Sequence, residues 1–312
     1  MENKEKNFVS AVIYVHNAEN RISQFLNMII SVMEDNFEHS EIICVNDFSN
    51  DGSRQIIKET SSLAAATSIT IIDMSYFHGL ETAMNAGVDL AIGDFVFEFD
   101  NTAVDYDIDE IMKIYYRALQ GYDIVSAAPD KSEKMSSRLF YKVFDQFTDH
   151  PYRMTTESFR ILSRRVINRI SSMNKAVLYR KAIYANCGLQ TDTIKYMTVS
   201  PTTVVTDKRE RRYRRGLAVD SLILFTELGY RFSVAMTVLM MIMSVFMTVY
   251  SLVTYLVMHP VEGWTTTVLF LSVAFFGLFG ILTVIVKYLQ LLVNLIFKRK
   301  NYSFAGVEKL TK

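Results

Sequence analysis

The 312-residue chain carries 33 basic and 33 acidic side chains, and a net charge of zero excludes the uniformly basic surface of a nucleic-acid binder. Its two cysteines, Cys44 and Cys187, form neither a metal-ligand spacing nor a disulfide framework, which excludes a stapled secreted scaffold and fits a reduced compartment. Half of the residues are hydrophobic, a share high for a purely soluble chain, so apolar sequence must be concentrated somewhere.

The first seven residues have no apolar core and do not read as a signal peptide. Phe8 to Val15 is a β-branched run expected as a strand, and Glu19 to Asp35 places Ile22, Phe25, Leu26, Ile29, Ile30 and Met33 on one helical stripe. The alternation recurs. Strands are expected at Glu41–Val45, Ser68–Ile72, Asp94–Phe99 and Ile124–Ala127, with helices from Ser53, over Leu80–Ile92 and over Ile108–Leu119. Such alternation argues for an α/β domain with a mostly parallel sheet covered by helices on both faces. Beyond it the pattern loosens into a loop at 131–137, helices at Arg138–Phe147 and Ser163–Met173, and a strand at Asp192–Val199.

The apolar excess lies near the end. Ser233 to Met258 and Trp264 to Val286 carry no charge, and each is long enough to cross a bilayer core of about 30 Å as a helix. Lys208-Arg209-Glu210-Arg211-Arg212-Tyr213-Arg214-Arg215 precedes the first stretch and Lys298-Arg299-Lys300 follows the second, while the connector His259–Trp264 has neither Lys nor Arg. By the positive-inside rule both termini are expected in the cytoplasm. The expected organisation is a globular domain over 1–205, a basic amphipathic juxtamembrane segment over 206–231, a two-helix hairpin over 232–297 and a tail over 298–312. The basic run serves equally as a topology signal or as a holder of lipid phosphate.

Two loops end in acids: Asn46-Asp47-Phe48-Ser49-Asn50-Asp51-Gly52-Ser53 after one strand and Asp100-Asn101-Thr102 after another. In an open α/β sheet both would face a shared crevice beyond the strand ends. Asn50–Ser53 reads equally as a helix-capping turn, and the acids Asp105, Asp107, Asp109 and Glu110 read first as a helix N-terminus. Arg164 and Arg165 read as a solvated face.

Ala11–Asn17, Ile43–Ser53, His78-Gly79 with Ala83, Asn85 and Gly87, and Gly93-Asp94 leading to Asp100 together resemble family 2 glycosyltransferases of the Rossmann-like GT-A fold. Ser158–Val166, the basic segment ending at Tyr213 and the paired apolar stretches narrow the resemblance to the polyprenyl-phosphate group, which includes dolichol-phosphate-mannose-synthase-like and GtrB/ArnC-like enzymes. The resemblance implies an inverting, membrane-bound transferase that moves a sugar from a nucleotide-sugar, expected to be a UDP-sugar, to a polyprenyl phosphate. A bacterial-type plasma membrane is the implied location, and a homo-oligomer is left open.

Residue by residue, the resemblance places Asn17, Glu19, Asp47, Asp51 and Asn85 along the nucleotide and makes Asp100 the ligand of a catalytic Mg²⁺ or Mn²⁺, with Asp105 or Asp107 left open as a further contributor. It places Arg138 and Arg160, with Arg211, Arg212 and Tyr213, around the acceptor phosphate. The chain departs from the pattern at Asn46, Phe48 and Thr102, which replace an Asp, a Gly and the second acid of the metal motif. Those departures keep a second reading open, a membrane scaffold that has lost chemistry.

Overall fold

A computed structural model describes residues 4–130, 156–172, 179–199, 264–297 and 302–311, with short helical pieces at 212–213, 216–217, 235–236, 239–240, 242–243 and 246. The helix expected over 138–147 lies outside the described residues, as does nearly all of Ser233–Met258.

Strand and helix alternate as the periodicity predicts: β1 Val9–Val15, α1 Glu19–Asn36, β2 Ser40–Asn46, α2 Ser53–Ser61, β3 Ser68–Met74, α3 Leu80–Leu90, β4 Phe95–Phe99, α4 Asp109–Leu119 and β5 Ile124–Pro129. There follow β6 Phe159–Ser163, α5 Arg164–Ser172, α6 Arg180–Asn186, β7 Thr191–Tyr196, α7 Trp264–Phe297 and β8 Phe304–Lys309. One eight-stranded sheet runs in the order β7-β5-β6-β4-β1-β2-β3-β8. β1 pairs in parallel with both β2 and β4, whereas β6 and β8 run antiparallel to their neighbours.

Why β1 reads as an unbroken apolar run is plain from its surroundings. Val9, Ala11, Ile13 and Val15 enter the core under α1, α2 and α4, while Val12 and Tyr14 enter the core under α3, α5 and α6. Both faces are covered, so alternation disappears from the sequence. Ile22, Phe25, Leu26 and Ile29 deliver the α1 stripe to the first core, each burial worth about 1.5–3 kcal/mol. Truncating fully buried Phe25 to Ala would cost about 3–5 kcal/mol.

Three elements were not expected, the first being helix α6, Arg180–Asn186. Ser158–Val166 contains the antiparallel strand β6, and the tail expected as a separate segment contributes β8 at the β3 edge. Counting only described residues, no helix is long and apolar enough to cross a membrane; the backbone of α7 is described along all 34 residues but many of its side chains are not. Met240, from within the first uncharged stretch, packs its side chain against Gly277 of α7, where a Cβ would collide with it.

Candidate active site

The sheet order reverses between β1 and β4: from β1 the chain steps outward through β2 and β3, then returns to place β4 on the other side of β1. A crevice forms at such a switch point, beyond the carboxyl ends of the strands. Val15 pairs with Asn46 and Ile13 with Phe99, so Asn17, Asp47 and Asp100 all emerge at that end.

Asp100 stands in a closed ring of ion pairs. Arg160 donates through Nη1 to Glu98 Oε2 at 2.9 Å and through Nη2 to Asp100 Oδ2 at 2.7 Å. Arg180 mirrors it, from Nη1 to Glu98 Oε1 at 2.7 Å and from Nη2 to Asp100 Oδ1 at 2.6 Å. Local structure explains the geometry: Asp100, the residue after β4, lies two positions beyond Glu98 and both reach the same two guanidinium groups, and β6 sets Arg160 directly opposite Glu98. The remaining guanidinium nitrogens are also taken, with Arg160 Nε on Glu157 and Arg180 Nε on Glu81. Tyr184 adds its hydroxyl to Glu98 Oε1 at 2.8 Å.

Glu98 and both arginines are essentially inaccessible, and Asp100 exposes only 12% of its side chain. Charges so buried persist because each is paired. Burial by itself would raise the Asp100 pKa, but Arg160, Arg180 and Lys181 outweigh it and hold the carboxyl well below the usual carboxylate range.

The expected contact of Arg160 with an acceptor phosphate is replaced here by three carboxylates, one against each of its nitrogens. Its place is behind Asp100. The expected metal meets the same difficulty, because both Asp100 oxygens already accept from guanidinium groups. Thr102 is buried, Asp105 accepts from the Tyr196 hydroxyl, and no group of three His, Cys, Asp or Glu among the described residues could hold an ion. In this arrangement the described residues do not fit a resident Mg²⁺ or Mn²⁺.

Asp47 also differs from expectation. It is fully buried, and its carboxylate accepts from the His78 and Gly79 backbone amides, both at 2.8 Å, and from the Tyr14 hydroxyl at 3.0 Å. It holds the loop between β3 and α3 rather than presenting itself to a base. Asn46 beside it donates to Asp73 at 2.8 Å.

Asn17, Glu19 and Asp51 come together as a stitched rim. The Asn50 amide donates to Asn17 Oδ1, the Gly52 amide to Glu19 Oε2, and the Glu19 amide to Asp51 Oδ2. Asp51 Oδ1 takes both the amide and the hydroxyl of Ser53, a turn before α2, whose N-cap Gly52 makes no side-chain capping bond. These bonds outweigh burial and lower the Asp51 pKa. Asn17 and Phe48 have φ of 47° and 54°, and exposed Phe48 holds a left-handed conformation that glycine would adopt without strain.

Tyr213 is brought against the loop between β3 and α3 from far along the chain. Its ring lies against Gly79, which has φ of 84° and no room for a Cβ, and faces Phe77 edge-on at 6.1 Å. Burial raises the pKa of its phenol. Asn85 is half-buried on α3 and Arg212 is exposed, whereas Arg138 and Arg211 lie outside the described residues. Arg164 donates to the carbonyls of Ala91 and Gly93 instead of forming a solvated face.

Glu81, Glu98, Arg180 and Tyr184 were not singled out from sequence. A signal existed for one of them: Glu98 is a lone charge inside Phe95–Phe99, and a charge within a buried strand needs a partner.

A doubly covered α/β sheet with acids and loops gathered at its switch point defines an open α/β protein with a candidate ligand site beyond its strand ends. Residues 10–182 match the family described as glycosyl transferase family 2, and the chain belongs to that family. An uncharacterized glycosyltransferase of Synechocystis is 28% identical over 187 residues, 58% of each chain. The bactoprenol glucosyl transferase of Shigella phage SfV is 28% identical over 196 residues, 61% of this chain and 62% of that protein. An undecaprenyl-phosphate 4-deoxy-4-formamido-L-arabinose transferase of Aeromonas hydrophila is 28% identical over 125 residues, 40% of this chain and 38% of that protein. The matched regions thus span less than two thirds of these relatives. Among solved structures, mannosyl-3-phosphoglycerate synthase from Rubrobacter xylanophilus aligns at 16% identity and TM-score 0.48 over 69% of this chain and 74% of that one. Glucosyl-3-phosphoglycerate synthase from Mycobacterium tuberculosis, in complex with Mn²⁺, UDP and phosphoglyceric acid, aligns at 12% identity and TM-score 0.48 over 70% and 78%.

Proposed function

We propose that this protein is a membrane-bound inverting glycosyltransferase that moves a sugar from a nucleotide-sugar, in the first instance a UDP-sugar, to a polyprenyl phosphate on the cytoplasmic leaflet. The observation that carries the reading is the switch point between β1 and β4 in a family 2 chain whose relatives are named as bactoprenol and undecaprenyl-phosphate transferases. Two uncharged stretches flanked by Lys and Arg support the membrane part, as does the contact of Met240 with Gly277, since small residues let membrane helices approach closely.

The acceptor needs no general base, because a phosphate monoester with a second pKa of about 6 is already an oxyanion at neutral pH. That oxygen attacks the anomeric carbon in line, the bond to the nucleotide diphosphate breaks, and configuration inverts. The chain's work is to position and to neutralise. The rim of Asn17, Glu19 and Asp51 borders the donor, and Asp47 keeps the 78–79 amides in place beside it. Asp100, kept ionised by Arg160 and Arg180, is fixed at the reacting end, and Arg138, Arg211 and Arg212 are the cations assigned to the acceptor phosphate.

A second reading has its own observation. Asp47 and Asp100 have every carboxylate oxygen engaged inside the protein, which suits a scaffold without chemistry. Membranes containing the protein, incubated with a panel of radiolabelled nucleotide-sugars, should yield a lipid product labile to mild acid. No product with any donor, together with no nucleotide binding, would establish the scaffold instead.

A further inference from the structure

We propose that the C-terminal segment 302–311 is a built part of the donor half of the site, in which Ser303 positions the loop over residues 75–79 through His78. The inference rests on the reading of the crevice as a nucleotide-sugar site. Nothing in the family match, which ends at residue 182, assigns a role to this segment.

The segment is fastened along its length. β8 pairs antiparallel with β3, covering an edge that would otherwise stay open. Glu308 pairs with Arg54 and Lys58 of α2, the Leu310 amide donates to the Ile69 carbonyl, and the Ile69 amide to the Thr311 hydroxyl. At its upstream end Tyr302 donates to Asp89 of α3 at 2.7 Å.

Ser303 then reaches the loop. Its carbonyl accepts from the Ser75 amide at 3.0 Å, the two hydroxyls meet at 3.0 Å, and its amide donates to His78 Nε2 at 3.1 Å. With Nε2 accepting, the His78 proton sits on Nδ1 and is donated to the Tyr76 carbonyl. The same loop is gripped from the other side, where the His78 and Gly79 amides end on Asp47. Phe77 packs on His16 at 4.8 Å, next to the Asn17 rim. The loop is therefore held between the β2 acid inside the domain and a segment that enters the sheet only after the long helix α7. Removing the tail frees the Ser75 amide and the His78 ring, so the loop is then held from the Asp47 side alone.

The test uses the full-length protein in membranes or detergent, with Ser303→Pro, Ser303→Ala and a truncation after Asn301. Proline removes the amide that meets His78 and leaves β8 in place; alanine removes only the hydroxyl pair. Hydrogen exchange in a peptide covering 75–79 should rise roughly tenfold in Ser303→Pro and in the truncation, the size set by losing one or two hydrogen bonds. The donor KM should rise by a similar factor with kcat nearly unchanged, and Ser303→Ala should raise exchange at 75–79 by less than Ser303→Pro, because it loses the hydroxyl pair but keeps the amide on His78. Unchanged exchange at 75–79 in both altered proteins overturns the link. Faster exchange with an unmoved donor KM overturns the positioning role. A wild type that neither transfers nor binds any nucleotide-sugar defeats the transferase reading and the donor role together, while the exchange data still decide whether the tail holds the loop.

Discussion

Arg180 Nη2 and Asp100 Oδ1 meet at 2.6 Å across 80 residues of sequence, and the contact closes the ring that Arg160 and Glu98 complete. Arg180→Gln would leave Glu81, Glu98 and Asp100 buried with one compensating guanidinium fewer. Breaking a buried pair from one side costs about 3–5 kcal/mol, which urea unfolding would read. Arg180→Lys keeps the charge but not the planar fork that spans two carboxylates, and should recover only part of the loss. A change below about 1 kcal/mol in Arg180→Gln would mean that the ring contributes little to stability.

Acid should weaken the same ring with a definite sign. Asp100 has a folded pKa depressed below the unfolded value of about 3.9, so its contribution is fully present above that value and is lost as pH falls from it toward the folded pKa. Wild-type stability should decline on acidification below about pH 4, and Arg180→Gln should decline less over that interval because part of the depression is gone. Identical pH profiles for the two proteins would show that Arg180 does not set the ionisation of Asp100.

Asp47→Asn replaces one acceptor oxygen by a donor that must face the His78 amide, the Gly79 amide or the Tyr14 hydroxyl. An unsatisfied buried donor costs about 1–3 kcal/mol. The loss should appear as a lower Tm and as faster exchange at 78–79. A variant that kept wild-type exchange there would refute the assignment of Asp47 to loop holding.

Most of the sheet was legible because period and length carry it: the α1 stripe and the apolar runs of β1 to β5 follow from which faces must be buried. β6 and β8 were harder to see. Antiparallel insertion of Phe159–Ser163 beside β4 depends on Arg160 finding Glu98, a long-range pairing that no local window contains. β8 joins the sheet from beyond a 34-residue helix. At the site, the order of motifs put Asp47 and Asp100 after the carboxyl ends of β2 and β4, where they stand, but said nothing about which neighbours would consume their oxygens. That is a property of packing: Arg180 is an unremarkable basic residue in sequence and one of the most buried side chains in the fold.

Phe48 holds φ of 54° at the crevice mouth with 43% of its surface exposed. Left-handed backbone costs a residue with a Cβ about 1–2 kcal/mol, part of which Gly would return through relief of strain. Phe48→Gly should therefore raise Tm slightly. If the exposed ring stacks on the nucleotide base, donor KM should rise in the same variant; a stabilised variant with unchanged KM would leave the ring without a part in binding.

Topology can be read with single cysteines, since Cys44 and Cys187 are buried and burial pushes the Cys44 thiol up to about 12. Glu262→Cys, in the connector, should react with an impermeant maleimide in intact cells. Lys309→Cys, on β8 and exposed, should react only after permeabilisation. Because β8 belongs to the same sheet as the crevice, labelling of Lys309→Cys from outside would place the whole domain outside and overturn a cytoplasmic site.

Metal binding gives the sharpest check on the ring. A divalent ion at Asp100 must displace a guanidinium from an oxygen held at 2.6 or 2.7 Å, and Thr102 offers no second carboxylate. Titration of Mn²⁺ into the full-length protein, followed by electron paramagnetic resonance, should show no saturable site in the absence of nucleotide, and EDTA should leave wild-type nucleotide affinity unchanged. Arg180→Gln frees Asp100 Oδ1 beside Glu98 and Glu81, and should create Mn²⁺ affinity that the wild type lacks, since hard cations seek clustered carboxylate oxygens. Saturable binding to wild type alone, abolished by Asp100→Ala, would mean that the guanidinium groups yield readily to an ion. Binding that appears only with UDP present, and disappears in Asp100→Ala, would mean that the donor opens the ring and brings the metal with it.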